Sequence, residues 1–312
     1  MGDAKGAAPR AQGGASIPLR RDRLDAPVAA FLLFLCLIWA LNQVAIKLAL
    51  PGISPIFLAG IRSVIATGLV WAWATWRGER MFGRDGTLWV GLLTGVLFIG
   101  ESVTLYAALT YTTASRSIVF LYLSPFVIAG GAHFLIEGER LKRGQVLGLL
   151  LAFSGILIAF GDALTLPSLR EFFGDLLATI AAVLWGVSTL IVRGSRLAWS
   201  SPSKVLFYQL AVTAIALPPL AWAVGEPGLT DPTPLVLGAA AFQTVVVVFF
   251  SYLGWFWLVA RYPATRISVF SFLTPVLGVA AGGLLLDEPI GPGLLVALGM
   301  VGFGIYLVNR SR

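Results

Sequence analysis

Ala114-Ser-Arg-Ser-Ile-Val-Phe-Leu-Tyr-Leu-Ser-Pro125 returns 150 residues later as Ala264-Thr-Arg-Ile-Ser-Val-Phe-Ser-Phe-Leu-Thr-Pro275. Six of the twelve positions are identical, and three more exchange Ser for Thr or Tyr for Phe. Shorter matches keep the same chain order. Ile38-Trp39 recurs as Leu184-Trp185, with Asn42, Gln43 and Lys47 answered by Ser188, Thr189 and Arg193. Ser54-Pro55 recurs as Ser201-Pro202, which sets Arg62 opposite Gln209, and Glu139 has Glu288 as its counterpart. Offsets between 146 and 150 throughout imply a duplicated unit.

Each unit holds five apolar stretches. They run near 27–50, 54–76, 86–109, 113–136 and 144–163, then 174–194, 203–224, 235–258, 264–286 and 293–309. Each approaches the ~20 residues a helix needs to cross ~30 Å of hydrocarbon. Because five is odd, the second unit enters from the opposite face. The expected fold is an all-α membrane protein of ten transmembrane helices in two inverted five-helix repeats, 27–163 and 174–309. Residues 1–26, rich in Gly and Ala with mixed charge, read as a disordered cytoplasmic tail.

Composition agrees. The 312 residues are 58% hydrophobic and only 12% charged, too little charge to clothe a soluble domain of this size. Of the 22 Lys and Arg, eighteen fall in the tails and even-numbered loops. Only Arg116 and Arg170 fall in the opposite loops, and Lys47 and Arg62 lie within helices. Positive charge stays inside, so both termini are expected in the cytoplasm of a cell whose inner membrane the chain spans. The same scatter between apolar runs argues against nucleic acid as a partner. One His and one Cys make a metal or haem site improbable, no cofactor is expected, and Cys36 reads as packing.

No phosphate-binding loop, metalloprotease helix or dinucleotide fingerprint occurs, so an enzyme is not expected. The residues that draw attention are paired across the repeats near mid-helix: Trp39 and Asn42 with Trp185 and Ser188, and Pro125 with Pro275. Each proline frees the carbonyl four residues earlier, Leu121 and Ser271. Loosened backbone is tolerated at that depth only against protein or water. A midplane cavity between the repeats follows, with Gln43, Gln209, Tyr122 and Phe272 completing its expected lining. Arg62 and Glu101 fall at equal depth on consecutive helices, ~12 Å from the outer boundary at ~1.5 Å per residue, and are expected to pair as an outer gate. Lys47 is expected to snorkel, and His133 to pack or line a polar surface. Small-xxx-small pairs at Gly91/Gly95, Gly144/Gly148 and Gly278/Gly282 allow close helix approach, inside a monomer or in a weak homodimer.

The stretches Thr110–Pro125, Glu137-Gly-Glu139-Arg-Leu141 and Gly148–Gly155, echoed by Leu273-Thr-Pro275 and Asp287-Glu288-Pro289, resemble the EamA-type half of the drug/metabolite transporter superfamily. The resemblance implies a ten-helix carrier working by alternating access, which exports amino acids, related metabolites or drugs. It also implies that helices 1–4 and 6–9 line the cavity, with 5 and 10 behind. Glu101 is not part of the motif. The expected partners are a small-molecule substrate and the bilayer. The nearest rival is a nucleotide-sugar or lipid-linked sugar carrier, whose polyanionic ligand would favour a more basic cavity; a membrane-embedded enzyme ranks behind it.

Overall fold

The structure, a computed structural model, describes residues 24–83, 85–161, 166–286 and 293–310. The tail before Leu24 and the Asp287-Glu288-Pro289 motif lie outside the described residues. Ten helices are present among them: α1 (Ala26–Ala49), α2 (Pro55–Trp76), α3 (Leu88–Tyr111), α4 (Ala114–Leu135), α5 (Arg143–Ala159), α6 (Leu169–Gly194), α7 (Pro202–Ala223), α8 (Pro234–Arg261), α9 (Ala264–Leu286) and α10 (Gly293–Arg310). Nine are long and apolar enough to cross a membrane, and α5, at 17 residues, is shorter.

The chain marks these helices locally. Proline stands in the first turn of α1, α2, α7 and α8, where its missing N–H costs nothing. Hydroxyl caps begin α4 (Thr113), α7 (Ser201) and α8 (Thr233). Ser168 and Glu171 form a reciprocal capping box that starts α6 at Leu169, five residues before the apolar stretch suggests. Both proline sites disturb their helices as expected. α4 breaks at Tyr122–Leu123 and restarts at Ser124, and α9 tightens into a 3₁₀ turn over Val269–Phe272.

The packing is symmetric under exchange of the halves. α5 lies on α10 and α2 on α7; α1–α9 is matched by α6–α4, α1–α8 by α6–α3, and α2–α8 by α7–α3. The tightest pair is α5–α10. A Cβ on Gly148 would stand 2.6 Å from the Gly304 carbonyl oxygen, so only glycine permits this approach. A Cβ on Gly91 would strike the Tyr208 ring at 2.2 Å. Gly95 faces Val212 and Gly278 faces Gln43. These small residues serve contacts within the chain.

Two features break the symmetry. On the face where α1 begins, here the basic face, the first turn of α9 packs against the second half of α4. The mate contact, α4's first segment against α9's second half, is all but absent among the described residues. The second feature is a ten-residue π-helix, Phe242–Ser251, inside α8. Its wider turns take up extra residues: α8 runs 28 residues where its mate α3 runs 24.

Candidate functional site

Where the halves meet, α1, α3, α6 and α8 bring five aromatic rings together. Trp39 meets Trp255 edge-on at 5.6 Å, and Trp185 stacks on the same Trp255 at 6.4 Å. Tyr252 and Phe98 close the group, 6.1 and 6.4 Å from Trp185. The paired tryptophans therefore converge through a third, Trp255, which is buried. Trp39 also donates its Nε1 hydrogen to the Ser251 hydroxyl at 2.8 Å, and that hydroxyl donates to the Val247 carbonyl.

Polar groups surround this cluster. Arg62 reaches the Gln243 amide oxygen at 3.4 Å, and the Gln243 amide nitrogen donates to the Ala45 carbonyl. Gln209 donates to Ser188 at 3.2 Å. The Asn42 and Gln209 side-chain oxygens are enclosed without a hydrogen-bond partner among the described residues, as is the Trp255 indole nitrogen. Gln43 is half-buried at α9, near Gly278. Tyr122 is half-buried and Pro125 and Pro275 are buried at the two helix breaks. Phe272 departs from its expected role. It is fully enclosed against Phe126 and Phe153, at 5.9 and 6.2 Å, so it packs α9 onto α4 and α5 and lines no open space.

Arg62 and Glu101 are not an ion pair, which corrects the expectation. Their charged atoms stand more than 4.0 Å apart, though within electrostatic reach. Helices adjacent in the chain are not the ones that pack most closely here. α2 lies on α7 and α8, α3 lies on α6 and α7, and α2 touches α3 only briefly. Glu101 accepts one hydrogen bond, from Ser102 at 3.3 Å.

The ion pairs that do form are at the two faces. On the basic face, Glu139 after α4 accepts Arg193 Nε of α6 at 2.6 Å and the Ala264 backbone N–H at 2.7 Å. Arg193 Nη1 also donates to the Val259 and Ala260 carbonyls at 3.0 Å. This nearly sealed knot ties the ends of α4, α6 and α8 to the start of α9. Nearby, Lys204 pairs with Asp85, and His133 Nδ1 accepts the Leu141 backbone N–H at 2.9 Å, so this histidine holds a loop. On the opposite face Arg116 pairs with Asp175, which also accepts from Thr112. Glu226 caps α2 by accepting from Ile56 and Phe57.

A cavity of about 460 Å³ opens between α4 and α6, lined by Arg116, Asp175, Phe120 and Phe172 among others. None of the midplane residues lines it. Among the described residues, no three His, Cys, Asp or Glu side chains gather into a metal-sized group.

Sequence reading missed Trp255, Tyr252, Ser251 and Gln243, all on α8. Their counterparts in α3 share no residue type with them, and the π-helix shifts their register. A run of four β-branched residues, Val245–Val248, was the one visible oddity.

Residues 27–161 and 172–310 each match the EamA-like transporter family. An uncharacterized transporter of Archaeoglobus fulgidus is 28% identical over 284 residues, covering 88% of this chain and 95% of its own. A probable amino-acid metabolite efflux pump of Escherichia coli is 23% identical over 290 residues, covering 88% and 92%. A solved crystal structure superposes with a TM-score of 0.79 at 21% identity, covering 91% of this chain and 96% of its own, and supports the fold alone.

Proposed function

From the premise that this chain belongs to the EamA-like transporter family, we propose that it exports amino acids or closely related metabolites across the bacterial inner membrane. It is a multi-pass membrane transporter. The observation that carries the finer reading is the unequal closure of its faces. The Glu139–Arg193 knot seals the basic face, while α4 and α9 stand apart on the other. Between them lies the aromatic interface of Trp39, Trp185 and Trp255, flanked by scattered polar groups. Such a surface suits a small amphipathic solute. Alternating access then consists of breaking the basic-face knot while α4 and α9 close at the far side.

The positive-inside asymmetry supports a cytoplasmic basic face, with both termini on that side. A distant relative named as an amino-acid metabolite efflux pump lends support. The monomer serves as the carrier, Gly91, Gly95, Gly148 and Gly278 being used in contacts within the chain.

The test is flux of a labelled amino-acid panel through proteoliposomes, with and without a pH gradient. Protein-dependent flux of at least one amino acid is expected. No flux above empty vesicles for the whole panel would overturn the reading.

A further inference from the structure

Glu101 and Ser251 hold equivalent places, each ten residues before the end of its helix, at Tyr111 in α3 and Arg261 in α8. Around them the repeats are built alike. Trp39 of α1 stands against α8 at Ser251, and its mate Trp185 of α6 stands against α3, 6.4 Å from Phe98. In one repeat the serine is consumed by holding the indole. In the other the position carries a carboxylate, and no bond to Trp185 forms.

Glu101 Oε1 makes no hydrogen bond to any described residue, since only Oε2 is engaged, by Ser102. The same holds for Trp185 Nε1 and for Nε and Nη2 of Arg62, whose Nη1 alone makes the long contact to Gln243. Tyr106 and Tyr252 lie within electrostatic reach of both charges, and the Tyr252 ring stands 6.2 Å from Phe98, one turn before Glu101 on α3. A buried cation and anion that stand apart, each with bonding capacity left over, are costly unless something hydrated or charged completes them.

We propose that Arg62 and Glu101 are the two ends of a zwitterion site: Arg62 receives the substrate's carboxylate, Glu101 its ammonium, and the rings of Phe98, Tyr252 and Trp185 receive an apolar side chain. This rests on the amino-acid reading above and names the groups that would read each end of the molecule. Arg62 suits a carboxylate because its planar guanidinium offers paired donors. A carboxylate beside aromatic faces suits an ammonium, which both attract.

The experiment compares three probes in proteoliposomes: phenylalanine, phenethylamine, which lacks the carboxylate, and phenylpropionate, which lacks the ammonium. The wild type should carry phenylalanine at least about 10-fold faster than either analogue, as expected for a desolvated charge contact. Glu101→Gln should lose about 10-fold on phenylalanine and leave phenylpropionate unchanged. Arg62→Gln should lose as much on phenylalanine and leave phenethylamine unchanged. Glu101→Asp, which keeps the charge, should keep the preference for phenylalanine over phenylpropionate, and thermal unfolding in detergent would separate lost recognition from lost folding. The inference is overturned if folded Gln variants carry phenylalanine normally, or lose all three probes in equal proportion. Wild-type flux of other amino acids with none of phenylalanine would overturn it while leaving the exporter reading intact. No amino-acid flux at all would remove both.

Discussion

The Trp39 indole of α1 donates its hydrogen to the Ser251 hydroxyl of α8 at 2.8 Å, joining the two repeats deep within the helix bundle. The serine is fully enclosed and passes its own hydrogen to the Val247 carbonyl, inside the π-helix. One side-chain bond thus holds a tryptophan ring against Trp255 and pins the irregular stretch of α8 to the first half.

Ser251→Ala and Trp39→Phe should each lower stability by about 1 kcal/mol, the worth of one hydrogen bond with a buried group left over. Because the two residues share the bond, the double variant should lose less than the sum. Thermal unfolding of the four proteins in detergent measures this, and strict additivity would show that the contact carries no energy. Transport by Trp39→Ala should fall by more than the folded yield.

Removing one member of the Glu139–Arg193 pair leaves its partner nearly sealed and uncompensated. The state closed on the basic face should be penalised by roughly 3–5 kcal/mol for Glu139→Gln. A cysteine at Ser268, now buried in the first turn of α9, should then react with maleimide more than about 10-fold faster from the basic side. Unchanged labelling would mean that the knot does not hold this gate.

Acid should weaken the Lys204–Asp85 contact. Burial pushes the Asp85 carboxyl up, but the Lys204 ammonium and the Thr87 hydroxyl and amide outweigh it and hold it at about 2, below the ordinary 3.8. The folded value being the lower, the stabilisation is complete above 3.8 and disappears as pH falls through about 2. With 46% of its side chain exposed, Asp85 should contribute less than about 1 kcal/mol. Asp85→Asn should flatten the acid limb of a denaturant-stability profile between these pH values, and a profile parallel to the wild type would refute the assignment.

Orientation can be read with impermeant maleimide. Gly52 accepts backbone bonds from Thr230 and Asp231, so the α1–α2 and α7–α8 connections share one face. Asp231→Cys should label in intact cells, and Arg140→Cys only after permeabilisation. The native Cys36 is buried and needs no removal. Labelling of Arg140→Cys in intact cells would reverse the topology.

The helices were legible because lipid imposes length, and the inversion because five is odd. The breaks at Tyr122–Leu123 and Val269–Phe272 followed from Pro125 and Pro275 by the loss of one donor each. Neighbourhood was not legible. An apolar helix looks much the same on every side, so the sequence could not tell that Arg62 would meet Gln243 of α8 instead of Glu101 of α3. The same blindness hid the use of Glu139, conspicuous as a repeated acid but silent about Arg193. Trp255 was invisible because its angular position depends on a π-helix that no periodicity announces.

Among the described residues that π-helix belongs to one repeat only, and this has a bearing on energetics. If the halves were identical, exchanging them would turn one access state into the other, and half-saturation would be equal on both sides of the bilayer. With α8 wound differently from α3, the solute meets different surroundings when the pathway opens each way, so the two half-saturation concentrations must differ. Detailed balance still holds: unequal affinities are offset by unequal rates of reorientation, and the resting population leans toward one side. A carrier of this build running alone would fill or empty a vesicle at different speeds and yet stop at equal concentrations. Any accumulation it achieves must be drawn from a second gradient.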